Sequence, residues 1–331
     1  MSPFFVLGLL LVLDLLQSEA HNVGVCYKPG KNEASPSEAI ALIEKHKIPR
    51  IRLYEPNQET MRALKGKDIE VMLGVPNAEI IPLSLDPTSA ESWVRTNIKA
   101  YFPDLKIKYL VVGDAISANN DNNGLSYFLL DTLNNFQKAL SKEGMNHIKL
   151  TSSFDVSTLK NPYNDPPSNV SFVFETQEFI DPILKLLSDN NSPILVDLYP
   201  YYGRILNPNM LSLNSALFKG TDENLLCRLM DDMYSALEKG GYKSFDIIVA
   251  ETGWPSAGGV DASVENQKTY ITNLIQNVNK GCPKRPNKPI ETYLFTMFDE
   301  DVQEAPEIER HFGLFTPNKE LKFELVGGFN S

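Results

Sequence analysis

The stretch Ile247-Ile248-Val249-Ala250-Glu251-Thr252-Gly253-Trp254-Pro255-Ser256 reads as four apolar residues of a buried strand, then a carboxylate where the strand must end. In a parallel α/β barrel the carboxyl ends of the strands face the active site, so Glu251 stands where chemistry is done. Gly253-Trp254-Pro255 adds a turn and a large flat aromatic of the kind a sugar ring packs on. Working outward, apolar, β-branched runs recur at 22–27, 49–54, 69–75, 107–115, 148–154, 193–200 and 291–300. With 245–253 they make eight strands, each bounded by Pro, Gly, Asn or Asp. Segments of helical length lie between them, and Ser37–His46, Ala90–Tyr101 and Leu225–Lys239 carry apolar residues at helical spacing. Eight βα units without a linker or a composition break predict an α/β fold, a closed (β/α)8 TIM barrel in a single domain.

The chain has 331 residues, of which 42% are hydrophobic and 22% charged, ordinary values for one large globular domain. Residues 4–13 are apolar, too few to span a membrane, and Ser18-Glu19-Ala20 offers small residues where a signal peptidase looks. This predicts a signal peptide over 1–20 and a mature domain over 21–331; a buried first helix is the alternative. Losing 1–20 removes Asp14 and Glu19 and no base, which takes the formal charge from −11 to −9. So acidic a protein is repelled by phosphate backbones, and nucleic acid is excluded as a partner.

Three cysteines, Cys26, Cys227 and Cys282, leave at least one free or paired between chains. Cys26, inside a strand run, reads as a small buried hydrophobe, and the sequence leaves open whether Cys227 and Cys282 pair. Asn169-Val170-Ser171, after Pro166-Pro167, is a glycosylation acceptor pattern; Asn190-Asn191-Ser192 is a weaker one because Pro193 follows. The four histidines are scattered and no C-x-x-C, H-x-x-x-H or phosphate loop occurs, so neither a metal nor another cofactor is expected. Lys280, Lys284, Arg285 and Lys288 read as a solvated basic loop.

Polar residues collect at the strand ends: Tyr54, Asp114 and Ala115, Asp197 and Tyr199, Glu251, and Asp299 with Glu300. There a carboxylate leans catalytic, with helix capping as its bland alternative. The Glu251 segment resembles the nucleophile segment of the plant endo-1,3-β-glucanases, glycoside hydrolase family 17, which ends a strand in E-T-G-W-P-S. The resemblance extends through Val23-Gly24-Val25-Cys26-Tyr27, Ile51-Arg52-Leu53-Tyr54-Glu55-Pro56-Asn57, Leu198-Tyr199-Pro200-Tyr201, 291–300 and Glu309-Arg310-His311-Phe312-Gly313-Leu314-Phe315. It implies a barrel with a long open cleft, 1,3-β-glucan as partner, retaining hydrolysis, and Glu251 as nucleophile. It also implies that Tyr54, Tyr199, Glu300 and Glu309 line or brace the cleft, with Tyr201, Trp254 and Phe298 as further substrate-binding candidates. A secreted monomer of the extracellular space or cell wall, or of the vacuole, without a membrane anchor, is the expected form.

The resemblance breaks at the acid/base. The family's V-G-N-E-V reads Val111-Val112-Gly113-Asp114-Ala115 here, so a methyl stands at 115 where a carboxyl belongs. Positioned acid/base help is typically worth about 10²–10⁴ in rate. Asp114 is the candidate weak substitute, although neighbouring side chains on a strand point to opposite faces. Two family asparagines are replaced by Asp114 and Asp197, and a family lysine by Gln303. The added negative charge predicts a raised pKa at Glu251. Three functions therefore stand: a slow 1,3-β-glucan hydrolase, a glucan-binding pseudoenzyme acting as a lectin or decoy in defence, or, as the weaker option, a protein–protein surface unrelated to glucan.

Overall fold

The computed structural model describes residues 22–30, 34–116, 124–163, 166–220, 224–300, 305–325 and 329. The expected signal peptide, its cleavage point and Gln303 lie outside the described residues.

Eight staves form the barrel. They are β1 (Val23–Tyr27), β2 (Arg50–Leu53), β3 (Glu70–Val75), β4 (Lys106–Val112), a fifth in two pieces, β5 (Lys149–Thr151) and β6 (Ser153–Asp155), then β7 (Ile194–Asp197), β8 (Ile247–Thr252) and β9 (Thr292–Leu294). All pairings around the sheet are parallel, and β9 returns to pair with β1 through Val23 and Thr292. Closure falls to the broken stave. β5 pairs with β4, while β6 pairs with β7. At the break, the Gly113 carbonyl accepts from Ser152 Oγ (3.2 Å) and the Ser153 amide (3.0 Å), and the Leu195 amide donates to the Ser152 carbonyl. The eight predicted strands are thus all present; the first and third end where their apolar runs end, whereas the last is cut to Thr292–Leu294 because the rest of its run belongs to the loop that follows.

Side-chain alternation explains the core. Val25, Tyr27, Ile51 and Leu53 face outward onto the helices, whereas Cys26, Met72, Tyr109, Val111, Leu195, Ile248, Ala250 and Tyr293 fill the barrel. The outer ring includes α1 (Pro36–Lys45), α2 (Gln58–Leu64), α3 (Ile80–Leu85), α4 (Pro87–Asn97), α5 (Leu125–Lys142), α6 (Phe174–Asp189), α7 (Leu225–Lys239) and α8 (Val264–Val278). Ser35 and Glu38 close a reciprocal capping box on α1, and Asn224 caps the first amides of α7. Cys26 is buried and free, as expected, and Cys227 on α7 is bonded to Cys282. The basic loop departs from expectation. Lys284 and Arg285 both pair with Glu238 (2.6 and 2.9 Å) and Lys288 pairs with Asp246, which anchors the segment next to the disulfide.

Candidate active site

The site is built at the carboxyl end of β8. Both flanking registers shift between Val249 and the residues after it, a bulge at Ala250 that re-aims the residue that follows. Glu251 is that residue. The Ala250 carbonyl, displaced from the regular ladder, accepts from Arg52 Nη1 (3.0 Å). Gly253 must be glycine for steric reasons: a β-carbon there would stand 2.4 Å from the Phe295 carbonyl oxygen.

Three groups hold the Glu251 carboxylate. Tyr54 Oη donates to Oε1 (2.5 Å), Tyr199 Oη donates to Oε2 (2.8 Å), and Arg52 Nη1 lies 3.1 Å from Oε1. Its side chain is 15% exposed, enough to meet a ligand from one side only. Arg52 is buried at 2% exposure and lies over the Tyr54 ring, 4.9 Å from its centroid. It serves two more carboxylates: Nη2 donates to Asp114 Oδ1, and Nη1 donates to Asp197 Oδ1 at 3.3 Å. Asp197, the register partner of Glu251, also accepts from Ser153 Oγ (2.9 Å). One guanidinium therefore faces three carboxylates.

The electrostatic consequences follow that imbalance. Burial raises the pKa of Glu251 above the ordinary glutamate range; Asp114 adds to the rise, while Arg52 and the two phenols oppose it. The direction matches the expectation from sequence, but desolvation is the larger cause and the neighbouring charge the smaller. Asp197 is pushed well up, first by burial and then by Glu251. Burial alone would lower Arg52, yet the three carboxylates carry it well above its usual value.

Above Glu251 opens a cleft of about 330 Å³ lined by Lys28, Tyr54, Glu55, Asn77, Asp114 and Glu300, among others. Tyr54, Asp114, Glu251 and Glu300 are thus brought together, and Ala115 is exposed directly after Asp114. Other candidates fall elsewhere. Trp254 is fully buried, stacked edge-on against Tyr201 with its Nε1 donating to the Asp261 carbonyl (3.0 Å), so its face is not offered to a sugar. Tyr201 is fully buried too and spends its hydroxyl on the Val260 carbonyl (2.8 Å); the pair braces the loop after β8. Phe298 packs between Tyr27 and Phe315 in the core. Glu309 accepts from Tyr202, a bracing contact rather than a place on the cleft wall. Asp299 is engaged by Lys322 Nζ (2.6 Å) and the Gly313 amide, which makes it structural. Asn169 is exposed on a short turn, whereas the second acceptor pattern ends in the buried Ser192.

Arg52 and Asn77 carry no motif that marks them in the linear sequence. An arginine between Ile51 and Leu53 was the available signal, because strand parity puts it on the same face as Tyr54.

A parallel barrel with a phenol-held carboxylate at the end of its seventh stave defines a class, the barrel glycosidases. The chain belongs to the Glycosyl hydrolases family 17, whose pattern matches residues 23–326. It is 41% identical to a glucan endo-1,3-beta-glucosidase, basic vacuolar isoform, of Nicotiana plumbaginifolia over 99% of this chain and 92% of that one. It is 42% identical to the basic isoform 1 of Solanum tuberosum over 92% of this chain and 93% of the relative. Among solved structures, CJP38, a beta-1,3-glucanase and allergen of Cryptomeria japonica pollen, superposes with a TM-score of 0.88 at 34% identity, covering 92% and 98% of the two chains. Among the described residues no helix is long and apolar enough to cross a membrane.

Proposed function

We propose that this chain recognises 1,3-β-glucan in the cleft above Glu251 and hydrolyses it slowly, with Glu251 as nucleophile and no residue in the acid/base place. The observation that carries this reading is the Glu251 carboxylate, oriented by Tyr54, Tyr199 and Arg52 at the mouth of the cleft, in a chain whose relatives are named for glucan hydrolysis. In retaining hydrolysis one carboxyl attacks the anomeric carbon while a second, about 5–5.5 Å away, protonates the departing oxygen and later deprotonates water. Ala115 supplies no proton. Asp114 turns Oδ1 onto Arg52, which supports the view that it stands in poorly for the missing acid. That engagement also favours the second reading, a glucan-binding pseudoenzyme. A signal peptide over 1–20, secretion, a glycan on Asn169 and a monomeric state belong to the same proposal.

Ala115→Glu combined with Asp114→Asn tests it. Laminarin hydrolysis should rise by about 10²-fold or more over the unaltered protein. A folded double variant that binds laminarin and hydrolyses it no faster would leave the pseudoenzyme reading. Calorimetry without heat from laminarin would remove both.

A further inference from the structure

The carboxyl end of β4 turns sharply. Gly113 has φ +86° and Ala115 φ +50°, so two residues flanking Asp114 lie in the left-handed region, which a residue with a β-carbon enters at a cost. Beyond Val112 no ladder holds this turn, and its peptide groups need partners. On one side the Gly113 carbonyl is taken by Ser152 and Ser153. On the other, a single side chain provides both bonds to Asp114: Asn77 Oδ1 accepts from its amide (3.0 Å), and Asn77 Nδ2 donates to its carbonyl (2.9 Å). A backbone N–H can only donate and a C=O only accept, so this arrangement demands a side chain with one group of each kind. An aspartate could not donate and a lysine could not accept.

We propose that Asn77 is the positioning residue for the acid/base place: its two-point clamp on Asp114 fixes the turn that carries residue 115, which is exposed directly after the cleft-lining Asp114. It reaches across from the end of β3, where it opens the short turn Asn77–Glu79 and lines the same cleft as Glu251. It acts through the strand-four end and takes no part in the attack on the sugar. The clamp is made here although residue 115 is a methyl.

The inference rests on the reading of position 115 given above, and its test separates the two. In the background Ala115→Glu with Asp114→Asn, adding Asn77→Ala should cut laminarin kcat/KM by about 10-fold or more. The pre-steady burst from 2,4-dinitrophenyl β-laminaribioside, whose leaving group needs no proton, should stay within about 2-fold. Equal loss of both would make Asn77 merely structural, and no loss of either would overturn the clamp. Should the background itself gain nothing on laminarin, hydrogen–deuterium exchange decides. In the otherwise unaltered protein, Asn77→Ala should speed amide exchange over 113–116 by about 10-fold and leave 247–252 unchanged. Unchanged exchange over 113–116 would refute the proposal.

Discussion

Arg50 and Arg52 leave the same strand two residues apart, point into the same barrel and end in opposite situations. Towards the amino-terminal face, Arg50 meets Glu70 (2.7 Å) and Glu291 (3.6 Å), and Lys108 meets the same two carboxylates at 3.1 and 3.0 Å. Two cations answer two anions. Glu291 is further bonded by the hydroxyls of Tyr109 (3.1 Å) and Tyr293 (2.8 Å), much as Glu251 is by Tyr54 and Tyr199. Towards the carboxyl face one arginine answers three anions. The pKa values register the contrast: the ion pairs outweigh burial and lower Glu70, whereas burial and the surplus of negative charge raise Glu251 and Asp197. A carboxylate in a balanced cluster is a fastener. One with the same phenol partners and an unbalanced charge is held with its pKa raised, and the fold bears the cost of keeping it so.

Removing the two arginines should show the difference most strongly. Arg52→Met leaves three partly buried carboxylates without a cation and should lower stability by about 3–5 kcal/mol in urea titration. Arg50→Met should cost well under that, since Lys108 still faces both acids. Equal losses would erase the distinction between the two ends.

Relieving the surplus should act in the opposite direction. A carboxyl whose folded pKa is raised binds its proton more tightly folded than unfolded, so its penalty grows as pH climbs above the unfolded value. Asp197→Asn should therefore stabilise the protein at pH 7 by about 1–3 kcal/mol, with the gain shrinking towards pH 4. A loss of stability at neutral pH would mean that Asp197 is a fastener after all.

The ionisation of Glu251 offers a third handle. The burst from the dinitrophenyl substrate should rise with pH along a limb above the ordinary glutamate pKa, and Glu251→Gln should abolish it. Asp114→Asn should move the midpoint down, because the Asp114 charge adds to the rise. A midpoint that stays put would assign the whole shift to burial.

The smallest effect belongs to the balanced end. Glu70 has a lowered pKa, so its contribution is present above the unfolded glutamate value and disappears as pH falls through the folded one. It is 38% exposed, and solvent screening holds the effect of Glu70→Gln to about 1 kcal/mol at pH 7, read as a small drop in Tm that vanishes in acid.

Residue order alone settles the barrel and the place of Glu251, because both rest on local chemistry: apolar β-branched runs at βα spacing, and a carboxylate at the point where one run stops. It determined the methyl at 115 for the same reason. How those ends meet is visible in the folded chain alone. Trp254 and Tyr201 look like sugar platforms in a linear reading and are core, because burial depends on which loop folds over an aromatic. The pairing of Cys227 with Cys282, the sharing of Arg52 among Asp114, Asp197 and Glu251, and the reach of Asn77 to Asp114 join residues 55, 62, 145, 199 and 37 positions apart. No local pattern encodes such distances. Barrel closure supplies the shared site by turning interior side chains of staves that are not neighbours towards one axis, while the disulfide joins α7 to the segment before β9.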